Sequence, residues 1–114
     1  MNAPMDCQLI GRWRILEADI WERGHLDLVE PAMMVIQANG HGEIAFGAMQ
    51  AGIDLEYSRT LVFFTWEGFD EMDEVRGTGS AKLQDDGTIQ IEFAYNYGDE
   101  ATLKAERATS STAC

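Results

Sequence analysis

Between Val75 and Ala105 the chain alternates apolar and polar residues with a period of two, three times in succession. Val75, Gly77, Gly79, Ala81 and Leu83 alternate with Arg76, Thr78, Ser80 and Lys82. After Asp86-Gly87, a pair suited to a hairpin turn, Ile89, Ile91, Phe93, Tyr95 and Tyr97 alternate with Gln90, Glu92, Ala94 and Asn96. Gly98-Asp99 reverses the chain again, and Ala101, Leu103 and Ala105 alternate with Thr102, Lys104 and Glu106. A period of two places successive side chains on opposite faces of a strand, so this stretch predicts a three-stranded antiparallel meander with one apolar face. A helix cannot use such a pattern, because its apolar face recurs every three to four residues.

The earlier part of the chain reads as five more strands. Leu9, Gly11, Trp13 and Ile15 share one parity in a strand over residues 9–18. Residues 33–37 form a second, closed by Asn39-Gly40; Ile44, Phe46 and Ala48 mark a third; Ile53, Leu55 and Tyr57 mark a fourth; residues 61–66 form a fifth. Eight strands joined by short turns predict an all-β fold: a small eight-stranded antiparallel up-and-down barrel, which leaves no exposed edge. A two-sheet β-sandwich is the alternative. Two places break the pattern. Residues 19–31 are too long for a hairpin turn and hold Ile20, Trp21, Leu26, Leu28 and Val29, with Gly24 and Pro31 set against a helix; they read as a lid-like segment on the barrel. In the fifth strand, Leu61 and Phe63 oppose Val62, Phe64 and Trp66, so both faces are apolar and both ask for cover, from the lid or from a second copy of the chain in a homodimer.

Length and composition fit one domain. The 114 residues can bury a core without metal or disulfide staples, with residues 1–8 as an N-terminal arm, 9–107 as the barrel and 108–114 as a small polar tail expected to fray. Twenty Asp and Glu against eight Lys and Arg give a net charge of −12, a field that repels nucleic-acid phosphates and anionic membranes and favours basic partners. Cys7 and Cys114, near opposite ends, do not make a disulfide framework. Residues 1–8 lack a basic and apolar leader, and no apolar run reaches a membrane span, so the expected location is the cytoplasm with both thiols free.

Gly11-Arg12-Trp13 on a first strand resembles the G-x-W signature of the lipocalin and calycin barrels. The resemblance implies a calycin-like barrel in which Trp13 closes one end and an Arg of the last strand, here Arg107, packs across it, with a lid after the first strand. The whole chain is also similar to a group of short bacterial proteins through Phe64-Thr65-Trp66-Glu67-Gly68, Asp70-Glu71, Trp21 and Leu26-Asp27-Leu28; that similarity implies no activity.

Residue chemistry offers no catalytic set. His25 and His41 are the only imidazoles, and neither lies in a pattern with a nucleophile or a second ligand; both read as surface residues. No H-E-x-x-H, cysteine cluster, phosphate loop or G-x-S-x-G elbow occurs, and no cofactor or metal is expected. Glu67, Asp70, Glu71, Asp73 and Glu74 crowd five carboxylates into eight residues but lack the alternate-position spacing of a Ca²⁺ loop. They read as a solvated hairpin or an acidic surface for a basic protein, whose binding salt would weaken. Gly77 and Gly79 read as room for large aromatics opposite them.

Two function classes follow. One is a binding module holding a small apolar ligand near one barrel mouth, among Trp21, Leu28, Phe46, Tyr57, Trp66, Phe93 and Tyr95. The other is an acidic protein-interaction domain with a filled core. A cavity inside the barrel favours the first, and a filled core with an exposed apolar strand favours the second. An enzyme is a distant third reading.

Overall fold

The structure, a computed structural model, describes residues 8–19, 31–70, 72–96, 98 and 100–108. Eight strands follow one another: β1 Gly11–Ala18, β2 Met33–Ile36, β3 His41–Phe46, β4 Met49–Tyr57, β5 Leu61–Asp70, β6 Asp73–Leu83, β7 Ile89–Tyr95 and β8 Glu100–Arg107. Each pairs antiparallel with the next, and β8 pairs antiparallel with β1, so the sheet closes into an up-and-down barrel. The sandwich alternative is excluded by that closure. No helix among the described residues is long and apolar enough to cross a membrane.

The turns carry the register. Gly47-Ala48 is a two-residue loop between the paired Phe46 and Met49, with its positive φ of 59° at the first position, as in a II′ hairpin. This corrects the expected third and fourth strands: Ala48 lies in the turn, and β4 begins at Met49 rather than near Ile53. Asp86-Gly87 belongs to a three-residue loop. Gly87 N–H donates to Gln84 O at 3.1 Å, Gln84 N–H donates to Thr88 O at 2.8 Å, and Gly87 takes φ 87° after the turn. The hydroxyl and backbone N–H of Thr88 both donate to Asp86 Oδ1, which holds that carboxyl below its ordinary value. A lowered folded-state value means that this turn's contribution is full above the ordinary carboxylate range and fades as pH falls through the lowered value.

One β-bulge shifts the parity of β1. Ile15 pairs with Ala105 and Glu17 with Lys104, leaving Leu16 as the extra residue. Glu17 therefore points outward and Ala18 follows Leu103 inward. The β5–β6 ribbon is longer than the expected residues 61–66. It runs out to the facing pair Asp70 and Asp73, and Met72 at its tip is 95% exposed with φ 114°. A side chain held at that φ is strained, and Met72 makes no compensating burial, so Met72→Gly is expected to raise stability by about 1 kcal/mol. A lower melting temperature for that variant would show that the ribbon tip does not hold this backbone in solution.

All core residues among those described are apolar, and no polar or charged residue is buried. The expected lid, residues 19–31, lies outside the described residues except for Asp19 and Pro31, as do the N-terminal arm up to Cys7 and the tail from residue 109.

Candidate functional site

The end of the barrel where β1 begins is closed by Trp13. Its ring is fully buried, its indole N–H donates to Leu9 O at 2.9 Å, and the guanidinium carbon of Arg107 lies 4.3 Å from the ring centre. Trp13 and Arg107 are direct cross-strand partners in the β1–β8 ladder. Arg107 also donates to Ile10 O at 2.9 Å and Gln8 O at 2.7 Å, tying down the backbone that leads into β1. Gly11 makes this possible: with φ 137°, a Cβ there would sit 2.5 Å from Arg107 Nη1. This constellation is stacked and hydrogen-bonded as a plug.

The expected pocket residues do not surround one mouth. Phe46, Trp66, Phe93 and Tyr95 are buried and packed on one another. Phe93 stacks on Trp66 at 4.3 Å between ring centres and meets Phe46 edge-on at 5.2 Å and Tyr95 at 5.5 Å. Tyr57 ends β4 at the opposite end of the barrel, where its hydroxyl accepts from Gly40 N–H at 2.9 Å and donates to Gln37 O. Trp21 and Leu28 lie outside the described residues. Gly77 and Gly79 explain the dense packing. A Cβ on Gly77 would press on the Trp66 ring, and one on Gly79 would press on the Phe64 ring, so each glycine vacates the volume its cross-strand aromatic fills. The Trp66 N–H reaches across to Ala94 O at 3.2 Å and Thr78 O at 3.3 Å.

Strand alternation also divides the acidic run. Glu67 and Glu74 point outward, Glu67 opposite Arg76, whereas Asp70 and Asp73 face each other on the other side of the β5–β6 ribbon. Glu71 lies outside the described residues. The run is thus two pairs on two faces rather than one surface, and no group of three metal-ligating side chains occurs among the described residues.

What the register assembles instead is a groove of about 1020 Å³ on the outer wall, across β4 to β8. Two adjacent cross-strand rows form it. The first runs His41, Asp54, Thr65, Thr78, Ala94, Glu100. The second runs Glu56, Phe63, Ser80, Glu92, Thr102, and Asp19 Oδ1 accepts from Thr102 N–H at 2.9 Å. Five carboxylates therefore line the groove, from Asp19, Asp54, Glu56, Glu92 and Glu100. No lysine or arginine is among the described residues that line it, and the one imidazole, His41, is held to Asp54 at 2.9 Å. Its floor is short side chains, with Phe63 standing out of it 54% exposed. Phe63 was marked in the sequence as an apolar residue needing cover. The carboxylates were not, because each looks like an ordinary outward residue of its own strand until the register aligns them. No protein-family model, curated protein or solved structure matches this chain.

Proposed function

We propose that this barrel is a protein-interaction domain that receives a basic polypeptide on its outer wall. The groove carries the reading: five carboxylates around an exposed phenylalanine, with no lysine or arginine among the described lining residues. An aromatic face beside carboxylates suits a guanidinium or ammonium group, which gains both a cation–π contact and ion pairing. A small apolar ligand within the barrel is the less favoured reading, since the aromatic rings that would line its pocket pack against each other. A second copy of the chain is also less favoured at this face. Twofold symmetry would bring Asp54, Glu56, Glu92 and Glu100 up against the same carboxylates of the copy, and like charges across an interface are costly.

The test is calorimetric titration of the full chain with polyarginine and, separately, with palmitate, beside sedimentation equilibrium of the chain alone. Polyarginine is expected to bind at low salt and to weaken steeply as salt rises, with palmitate not taken up and the chain monomeric. Phe63→Ala is expected to weaken polyarginine binding about three- to tenfold, the scale of one exposed to partly desolvated cation–π contact. Saturable palmitate uptake without polyarginine binding would return the function to the barrel interior. A dimer split by Phe63→Glu would give this face to a second copy.

A further inference from the structure

We infer that the groove takes a single extended segment laid across the strands, with one basic side chain near each end and small residues between. This rests on the interaction reading above and specifies its partner. The carboxylates are not spread evenly along the two rows. Asp54 and Glu56 stand together on β4, and Glu92 and Glu100 stand on β7 and β8, with Asp19 beside Thr102. Between the two groups, on β5 and β6, lie Thr65, Thr78 and Ser80, with Phe63 at the β4 side directly opposite Glu56. The site is therefore bipolar, with two anionic ends and a short-side-chain centre.

The spacing sets the partner's sequence. Neighbouring strands lie about 4.8 Å apart, so β4 to β7 is about 14 Å and β4 to β8 about 19 Å. An extended peptide advances about 3.3 Å per residue, so residues four to six positions apart span these gaps. Alternate side chains of an extended segment face opposite ways, so only even separations turn both basic residues toward the wall. Two arginines at positions i and i+4, or i and i+6, meet both requirements. Arginine is favoured over lysine, because its planar guanidinium can lie on Phe63 while pairing with Glu56. Bulky residues between them would be held off the floor at Phe63, whereas Gly and Ser allow close approach.

The test compares two blocked peptides of one composition, Gly-Arg-Gly-Ser-Gly-Arg-Gly and Gly-Arg-Arg-Gly-Ser-Gly-Gly, by calorimetric titration against the full chain at low salt. The spaced peptide is expected to bind roughly five- to tenfold more tightly, because only it engages both carboxylate groups. Asp54→Asn with Glu56→Gln, and separately Glu92→Gln with Glu100→Gln, should each erase the preference. Lys82→Gln, outside the groove, should keep it. Circular dichroism and melting temperature establish that each variant is folded; these positions are exposed, so folding is expected to persist. Equal binding of the two peptides to the wild-type chain overturns the bipolar site, as does spermine binding as tightly as the spaced peptide. In either case salt-sensitive polyarginine binding would leave the interaction reading standing. Failure of both peptides and of polyarginine removes the two together.

Discussion

Trp13→Ala is expected to destabilise the chain by about 3–5 kcal/mol in equilibrium denaturation, the range for truncating a buried tryptophan. The side chain is fully buried at a barrel end. Its removal empties a volume that nothing nearby can fill, because the neighbouring backbone is fixed by the Arg107 hydrogen bonds to Gln8 and Ile10. The same truncation strands Leu9 O, which loses its donor inside the core. Arg107→Met separates the contributions. It keeps an aliphatic chain over the ring but removes the cation and both backbone hydrogen bonds, so its cost should be smaller, about 1–3 kcal/mol. A Trp13→Ala loss below about 1 kcal/mol would place the ring outside the cooperative core, and the barrel end would then not be closed by this stack.

The order of the strands was legible because alternation is a local property. The run from Val75 to Ala105 states its strands, its turns and its inward face residue by residue, and the structure pairs them in that order. The first half was less legible for identifiable reasons. The bulge at Leu16 cannot be seen in a hydropathy pattern, because both its neighbours remain compatible with a regular strand. The β3–β4 turn was missed because Gly47-Ala48 lacks the Asn-Gly or Asp-Gly signal, although a leading glycine suffices for a II′ loop.

The groove was illegible for a deeper reason. Asp54, Thr65, Thr78, Ala94 and Glu100 are brought into one row by four separate registers, and a slip of two residues in any one would replace a member while keeping every apolar face inward. Hydrophobic patterning fixes register only modulo two, so a surface row is a property of the whole closed sheet. The acidic run from Glu67 to Glu74 drew attention for the opposite reason. Its residues are neighbours in sequence, but a two-residue period sends alternate members to opposite faces. In a β-protein, proximity along the chain is a poor guide to a shared surface.

Phe93→Ala is expected to cost about 3–5 kcal/mol and to create a ligand site where the wild-type chain has none. Phe93 touches the rings of Trp66, Phe46, Phe64 and Tyr95 and is buried on every side. The loss has two parts: transfer of the ring out of the core, and the empty space that its partners cannot collapse into. Collapse is hindered here because Trp66 is held by its N–H to Ala94 O and Thr78 O, and the glycine at position 77 leaves no side chain to move in. The resulting apolar void should stay dry and accept benzene, as cavities lined by apolar groups do. Benzene should therefore raise the melting temperature of Phe93→Ala, through binding to the folded state alone, and leave the wild-type melting temperature unchanged. The same measurement decides between the two functions weighed for this fold. If the barrel carried an apolar ligand among these rings, the wild-type chain would already hold the space. Benzene would then raise its melting temperature too, and Phe93→Ala would cost closer to the transfer term alone, about 2 kcal/mol. A filled interior predicts a large loss in the variant and no response in the wild type, which leaves the outer wall as the surface that binds.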